Sequence, residues 1–411
     1  MPAIKTPIPS GVNAVTSFDE REVNAAVELL RNPSRLFRHR GGEPTNADLF
    51  EKRACELTGA KHALMVNSGT SALTCVLAGL DVGPGDDVIV PAYTYIATAS
   101  CVMNVGAIPI LAEIDDSLGM DPADFERKIT PYTKAVIVTH MQGVPSHMGA
   151  LREIARKHGI KVVEDCCQAI GARYNGVYCG VESDAFAWSL NYFKTITCGE
   201  GGVAFLSDER GFAKAVCQSD PANLMWKSGL IDENTKPFSR GGYRISELSA
   251  AIARVQLEKL EGIVAKTRTL KKRLLSGLNA PKNYTLQRVG DPEGDAGISF
   301  AVIGKSPEQT KALTAALAEE GLRVGSAYNE GFPDRHIYAY WDSLMEYGAP
   351  TAAGYPWKDP AYKGEVKYSR DMCPKTLDIL NRCLRVGIHF GMSETNMDEI
   401  AQAFNAADAR V

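Results

Sequence analysis

Short apolar runs alternate with helical patterns from about residue 48 to residue 206 of this chain. The candidate strands are residues 88–90, 135–140, 161–164 and 184–188, and the candidate helices are residues 71–80 and 151–158. Such alternation is typical of a mainly parallel sheet with crossover helices on its faces. It therefore predicts an α/β fold, whose ligands bind beyond the carboxyl ends of the strands.

The chain of 411 residues is longer than one hydrophobic core usually serves. A helical pattern over residues 245–278 suggests a long helix that bridges two domains. We expect an N-terminal arm and segment at 1–46, a large domain at 47–255 and a smaller C-terminal α+β domain at 256–411. The long helix would join the two domains.

Composition excludes several classes of partner. The formal charge is -4 and 23% of the residues are charged, so nothing in the balance predicts binding to nucleic acid or to an acidic membrane. The N-terminus lacks a signal-peptide pattern, and no apolar run reaches the roughly 18 residues of a membrane span. The ten cysteines form no C-x-x-C pair of the kind that holds zinc. We expect a cytoplasmic protein without a metal site, whose partner is a small molecule or a second copy of itself.

The stretch Asn67-Ser-Gly-Thr-Ser-Ala joins an apolar run to a helical pattern. Gly69 permits a tight turn there, and Thr70 and Ser71 offer backbone amides at a helix N-terminus. Such amides and the positive end of the helix dipole bind phosphate. The alternative is that serine and threonine here merely cap the helix.

Two further features follow predicted strands. Asp165 ends one strand, with Gln168 three residues later, and Lys194 stands between the strand at 184–188 and a glycine-rich turn. A desolvated lysine supplies the neutral amine that Schiff-base chemistry needs. Taken singly, the aspartate could be a helix cap and the lysine a solvated surface charge.

In their order and separations, these features resemble the DegT/DnrJ/StrS family of sugar aminotransferases, which use pyridoxal 5'-phosphate (PLP). The resemblance covers roughly residues 50–388 and is densest at 67–202. It implies PLP fold type I, as in aspartate aminotransferase, with a mainly parallel seven-stranded sheet flanked by helices. The motifs that carry it are S-G-T, P-x-x-T-[FYW]-x-A, E-D-x-x-Q and S-[FL]-[HN]-x-x-K.

The resemblance implies a role for each matching residue. Lys194 forms the internal aldimine with PLP and, once freed by the substrate, acts as the general base. Asp165 pairs with the pyridine nitrogen, Gln168 lies near the 3-oxygen, and Tyr95 stacks on the ring. The implied cofactor-binding residues are Gly69, Thr70, Ser71, Tyr95, Asp165, Gln168, Ser189, Asn191 and Lys194.

The chain departs from the family pattern in two places. Where relatives carry G-x-N-x-R, lent by the neighbouring subunit, this chain reads Gly-Gly-Tyr-Arg at 241–244, so that Gly242 replaces the asparagine. Arg244 matches the motif, but a structural ion pair explains it equally well. Near the C-terminus, His389 stands in a stretch where relatives carry an apolar–proline element. It could meet the substrate or be a satisfied core histidine.

Two other clusters could face a substrate. One is basic and could hold a phosphate or a carboxylate, although a solvated helix end explains it as well: Arg31, Arg35, Arg38, His39 and Arg40. The other is aromatic, at 338–341 and 354–360, and would suit a sugar or cyclitol ring.

We therefore expect a homodimer with shared active sites that transfers an amino group from glutamate or glutamine to a keto-sugar or keto-cyclitol. Amino-sugar or secondary-metabolite biosynthesis, such as antibiotic biosynthesis, is the expected context. One alternative is a dehydratase or other elimination enzyme of the same family, although the dehydratase branch replaces the lysine by histidine. Another is a regulatory protein that keeps the PLP fold. A nicotinamide-dependent dehydrogenase is excluded, because no G-x-G-x-x-G opens a helix early in the chain.

Overall fold

The structure, a computed structural model, describes residues 1–9, 15–38, 43–220, 237–329 and 333–411. Its centre is a seven-stranded sheet in the order β1-β9-β8-β5-β4-β2-β3. Strands β3, β2, β4, β5 and β8 are parallel, whereas β9 pairs antiparallel with both β8 and β1. The strands are β1 (His62–Val66), β2 (Asp87–Pro91), β3 (Ile108–Ala112), β4 (Thr133–Thr139), β5 (Lys161–Asp165), β8 (Ala185–Ser189) and β9 (Gly202–Leu206), with a small hairpin of β6 (Arg173–Tyr174) and β7 (Val177–Tyr178).

Helices flank this sheet and continue into the C-terminal part. They are α1 (Glu20–Arg31), α2 (Asn46–Thr58), α3 (Gly69–Gly79), α4 (Ala97–Val105), α5 (Pro122–Arg127), α6 (Met148–His158), α7 (Glu209–Ser219), α8 (Glu247–Ser276), α9 (Pro307–Glu319), α10 (Asp342–Met345), α11 (Pro374–Arg382) and α12 (Glu394–Arg410). No helix in the described ranges is long and apolar enough to cross a lipid bilayer.

A second, antiparallel sheet follows the long helix α8. It contains β10 (Tyr284–Leu286), β11 (Ser299–Gly304) and β12 (Cys383–Gly387), and α12 packs on it through a buried apolar cluster that includes Phe300 and Phe404. The N-terminal arm is tied to this part, since the Ile4 amide donates to the Glu320 carbonyl at 3.0 Å. The expected α/β fold with a smaller C-terminal α+β part is confirmed. The domain boundaries themselves stay a proposal.

The local predictions that mattered for the site are also confirmed. Each of the four predicted strands forms, as β2, β4, β5 and β8, and the two predicted helices form as α3 and α6. Strands β2, β4, β5 and β8 are buried almost throughout, as a parallel sheet covered on both faces requires. Asp165 and Ser189 are the last residues of β5 and β8, so both lie at the carboxyl edge of the sheet.

The aromatic stretch at 354–360 does not line that edge. The following Tyr368 donates from its hydroxyl to the carbonyl of Pro109, near the amino end of β3, at 2.7 Å. The carbonyl of Lys363 accepts from the hydroxyl of Tyr132, just before β4, at 3.4 Å. Residues 355–368 thus cover the amino ends of the strands, opposite the predicted site. The prediction of a substrate-facing aromatic wall there is wrong.

The other aromatic stretch, at 338–341, is mostly core. Tyr338 and Trp341 are fully buried in the large apolar cluster of the main sheet. Their polar atoms are satisfied locally, since the Trp341 Nε1 donates to the Arg335 carbonyl and the Tyr338 hydroxyl to the Arg370 carbonyl, both at 2.9 Å. Neither ring offers surface to a sugar, so the prediction is wrong for Tyr338 and Trp341.

Candidate active site

The turn between β1 and α3 forms an anion-binding helix start. Ser68 is the N-cap of α3, and its hydroxyl accepts from the Ser71 amide at 3.1 Å. The Ser71 hydroxyl donates to Asn67 Oδ1 at 2.7 Å, which fixes the turn. In the described part of the chain, the amides of Gly69 and Thr70 have no acceptor. These two amides, at the positive end of the helix dipole, are the groups that a phosphate would engage.

Close backbone approach brings this helix start against the end of β8. A side chain at Gly69 would place its Cβ only 2.7 Å from the Cβ of Ser189, and one at Gly202 would collide with the carbonyl of Ser68. Glycine at both positions lets the buried Ser189 hydroxyl lie beside the α3 N-terminus. The start of α3, with Gly69, Thr70 and Ser71, and Ser189 at the end of β8, predicted separately from two motifs, therefore lie side by side.

Asp165 is a buried carboxylate with only neutral partners. It is 4% exposed, its Oδ2 accepts from the Thr98 hydroxyl at 2.8 Å, and its Oδ1 accepts from the Cys167 amide at 3.1 Å. Among the described residues, no lysine, arginine or histidine lies within salt-bridge distance of it. A buried carboxylate without a counter-ion is costly, which indicates a site built for a positively charged ligand group.

Asp165 ends β5 and Lys194 follows the neighbouring strand β8, and the charges of both act on the Cys167 thiol. Burial, with the charge of Asp165, raises the pKa of the Cys167 thiol well above its usual range, while the Lys194 ammonium group acts in the opposite direction. Lys194 is half-buried, and no carboxylate of the described ranges forms a salt bridge with it. A lysine without an ion pair is available for covalent chemistry.

Gln168 and Asn191 hold the loops around the site. Gln168 Oε1 accepts from the Gln142 amide at 3.3 Å, across the ends of β4 and β5. Asn191 Oδ1 accepts from the Phe193 amide at 3.2 Å and its Nδ2 donates to Glu200 at 3.0 Å. Asn191 therefore shapes the turn that carries Lys194, and a direct contact of either side chain with the cofactor stays a prediction.

Tyr95 follows β2 at the same edge of the sheet, and 48% of it is exposed. Its ring centroid lies 5.5 Å from that of His336, at a tilt of 55°. His336 is fixed by Asp334, whose Oδ1 lies 2.7 Å from the ring Nδ1. Sequence reasoning missed His336, because nothing local predicts that residues 334–338 pair with the segment after β2.

Glu164, which precedes Asp165 in the E-D-x-x-Q motif, belongs to the core. Its carboxylate is fully buried and bonds His140 at 2.8 Å, Arg152 at 2.9 Å and the Gly180 amide at 2.8 Å. Burial alone would raise the pKa of Glu164, but the hydrogen bond and charge of His140, together with Arg152, lower it to about 2. Glu164 anchors β5 and thereby holds Asp165 in place.

The segment that departs from the family pattern lies beside the phosphate edge. The carbonyl of Tyr243 accepts from the Asn67 amide at 2.8 Å, and the backbones of Arg244 and Val66 form an isolated antiparallel β-bridge. Arg244 pairs with Asp220 at 3.3 Å, as the ion-pair interpretation expects. An added Cβ at Gly242 would meet no atom of the described residues within 4 Å.

The basic cluster is not a solvated patch throughout. Arg38 is 6% exposed, donates to the Met65 carbonyl at 2.8 Å and forms a buried ion pair with Glu51. This arginine stabilises β1 and is not free to bind a substrate anion. Arg31 is exposed and Arg35 is half-buried, with its guanidinium 3.8 Å from the Glu43 carboxylate, while His39 and Arg40 lie outside the described residues.

His389 is a satisfied structural histidine. Its Nε2 lies 2.8 Å from the carbonyl of Pro9, and its Nδ1 accepts from the Gly391 amide at 3.2 Å. Nε2 thus holds the N-terminal arm, and Nδ1 fixes the turn at Gly391. The structure thus favours the core interpretation of His389 over contact with substrate.

Comparison with known proteins supports an aminotransferase. The model of the DegT/DnrJ/EryC1/StrS aminotransferase family matches residues 18–353. A GDP-perosamine synthase from Caulobacter vibrioides is 38% identical over 216 residues, which is 52% of this chain and only 56% of that relative. An L-glutamine:2-deoxy-scyllo-inosose aminotransferase from Streptomyces kanamyceticus is 33% identical over 295 residues, 68% of each protein. The crystal structure of 3-amino-5-hydroxybenzoic acid synthase superposes with a TM-score of 0.77 at 26% identity, covering 98% of this chain and 99% of that one.

Proposed function

The chain belongs to the DegT/DnrJ/EryC1/StrS aminotransferase family, whose members depend on PLP, and on that premise we propose that it aminates a keto-sugar or keto-cyclitol with glutamate or glutamine. The observation that carries the proposal is the arrangement of Lys194 and Asp165. Among the described residues, Lys194 forms no ion pair and the buried Asp165 carboxylate has no counter-ion, and the two stand at the ends of neighbouring strands on the carboxyl edge of one sheet.

The residues present fit PLP. The amides of Gly69 and Thr70, with the Ser189 hydroxyl, suit its phosphate. Asp165 suits its protonated pyridine nitrogen, which would supply the missing counter-ion. Tyr95 offers an exposed ring for stacking, worth roughly 0.5 to 1.5 kcal/mol beyond its buried area. PLP, when bound, supplies the electron sink that stabilises the carbanion left by loss of an α-proton.

Each residue of the proposed site has its own role in the transfer. Lys194 is the nucleophile that holds PLP, and once released its Nζ takes a proton from the donor and returns it. Asp165 would pair with the protonated ring nitrogen of bound PLP. Glu164 and the Asn191 turn keep the two groups in position.

The names of two relatives, GDP-perosamine synthase and L-glutamine:2-deoxy-scyllo-inosose aminotransferase, support this class of acceptor. We include amino-sugar or secondary-metabolite biosynthesis in the proposal on the same ground. A reducing, cytoplasmic location is part of it too, because all ten cysteines are free thiols.

We also propose a homodimer whose partner completes the active site. Helix α1 exposes Val23, Val27 and Leu30 at helical spacing, with exposed fractions of 51, 37 and 56%. Beside the proposed catalytic lysine, Phe193 is 71% exposed. Exposed apolar stripes and an uncovered aromatic next to a reactive lysine are explained by a second copy.

The test is a half-reaction followed by absorbance. PLP-loaded protein should show the visible band of a lysine-linked cofactor, and glutamine or glutamate should convert it to near-ultraviolet absorption. Adding 2-deoxy-scyllo-inosose or a nucleotide-linked keto-hexose should then restore the visible band. A visible band that neither donor changes would contradict aminotransfer and favour elimination chemistry.

A further inference from the structure

Three buried threonines lie behind the Asp165 carboxylate in an unbroken line. Thr98 donates to Asp165 Oδ2 at 2.8 Å, the hydroxyls of Thr94 and Thr98 lie 2.7 Å apart, and Thr139 donates to Thr94 at 3.2 Å. Their exposed fractions are 0% for Thr94 and Thr98 and 2% for Thr139. The line crosses the carboxyl ends of three neighbouring strands, β2, β4 and β5.

Proton counting fixes the direction of this line. Each hydroxyl has one proton to donate. Thr98 donates its hydroxyl proton to Asp165, and a carboxylate can only accept hydrogen bonds. The bond between Thr94 and Thr98 must therefore be donated by Thr94, and Thr139 must donate to Thr94. All three protons thus point towards Asp165.

We infer that this threonine relay, formed by Thr139, Thr94 and Thr98, holds the Asp165 carboxylate oriented as the receptor for a cationic ring nitrogen. The inference rests on the proposed function, in which that nitrogen belongs to PLP. Hydrogen bonds donated to a carboxylate stabilise its ionised form, and bonds in a chain polarise one another. Thr98, which contacts the carboxylate, is the main positioning residue, and the other two act through it.

The relay has a function that simple packing does not require. Valine has nearly the shape of threonine, and in a purely structural role its methyl group would fill the same space. The relay instead predicts that the hydroxyl, and its distance from Asp165, decide how tightly the apoprotein binds PLP. Binding should therefore weaken in a graded way along the line.

The experiment compares three matched variants, Thr98→Val, Thr94→Val and Thr139→Val, each of which removes one buried hydroxyl. PLP is titrated into each apoprotein, and the dissociation constant and the position of the visible band are recorded. We expect Thr98→Val to raise the dissociation constant about tenfold, as loss of a bond to a charged group does. We expect a smaller rise for Thr94→Val and less than about twofold for Thr139→Val. Thr98→Ser, which keeps the hydroxyl, should restore binding and the band.

Thermal unfolding of the apoproteins separates a structural effect from the relay. If the relay is correct, losses of stability will not follow the order of the PLP dissociation constants. If Thr98→Val binds PLP as the wild type does, or if all three variants weaken binding equally, the inference is overturned. Should Thr98→Val fail to fold, the comparison of Thr94→Val with Thr139→Val still tests the gradient, and Thr98→Ser should bind PLP as the wild type does. Wild-type protein that binds no PLP would instead refute the proposed function itself.

Discussion

Asp165 is the residue whose environment is hardest to explain without a ligand. Its buried carboxylate has hydrogen-bond donors but no cation in the described part of the chain. Replacing Asp165 by asparagine removes the charge and keeps the shape. We expect Asp165→Asn to lower the rate of the donor half-reaction by roughly 10- to 100-fold, the value of a hydrogen bond to a charged group. Stopped-flow absorbance measures it, and an unchanged rate would contradict the assignment.

Arg38 illustrates a basic residue that is structural. Its guanidinium pairs with Glu51 out of contact with water and also holds the Met65 carbonyl. Arg38→Ala leaves a buried charge unpaired, so we expect a loss of about 3 to 5 kcal/mol in the free energy of unfolding. Urea denaturation measures this loss. Arg31→Ala, at the exposed end of α1, is the matched control and should change stability by less than about 0.5 kcal/mol. Equal losses of unfolding free energy in Arg38→Ala and Arg31→Ala would contradict a stabilising buried ion pair at Arg38.

For individual residues, the sequence predicted the positions of those that follow strands. Asp165, Ser189 and Lys194 stand after apolar runs, so their position at the ligand edge could be inferred from local pattern. Thr98 and His336 could not be found in this way, because their roles depend on contacts between distant segments.

At the scale of the element, β5 depends on the ionised Glu164. Its pKa falls from an ordinary value of 4.5 to about 2 in the folded protein. A depressed carboxyl pKa stabilises the fold above the unfolded value, and this contribution disappears as the pH falls through the folded value. We expect wild-type protein to lose roughly 3 kcal/mol from this group between about pH 4.5 and pH 2.

The Glu164→Gln variant isolates that contribution. Its free energy of unfolding should depend less steeply on pH over the same acid range, because the glutamine does not titrate. Denaturation curves at several pH values give both slopes. Parallel slopes for the two proteins would show that Glu164 does not contribute as described.

The aromatic segment at 355–368 is a covering for the sheet. Tyr368 holds the carbonyl of Pro109 on the edge strand β3, and edge strands need such cover. We expect Tyr368→Phe to lower the free energy of unfolding by about 1 kcal/mol, the value of one hydrogen bond. The Michaelis constants for donor and acceptor should not change, as steady-state kinetics will show. A changed Michaelis constant for the acceptor would contradict this role and indicate that the segment contacts the substrate.

The sequence pattern predicted the strands of the main sheet better than the segment that covers their amino ends. Strands β2, β4, β5 and β8 were recognised because burial on both faces requires a continuous apolar run. The segment at 355–368 has no such periodicity. The aromatic composition of residues 354–360 suggested a ligand wall, but only the fold shows that this segment packs at the opposite edge.

At the scale of the whole molecule, the exposed apolar stripe on α1 predicts assembly. We expect Leu30→Glu to convert a dimer into a monomer, since a charge at the centre of an apolar interface is not compensated. Leu286→Glu, at a similarly exposed leucine of β10, is the control and should stay dimeric. Light scattering after gel filtration distinguishes the two. A wild-type monomer, or dimers in both variants, would contradict the proposed interface.

The central claim is that Lys194 holds PLP. The most direct measurement is to load the protein with PLP, reduce it with borohydride and map the modified peptide by mass spectrometry. The account predicts one pyridoxyl group per chain, on Lys194, and none in Lys194→Ala at the same PLP concentration. Labelling spread over surface lysines, or labelling that persists in the variant, would contradict it.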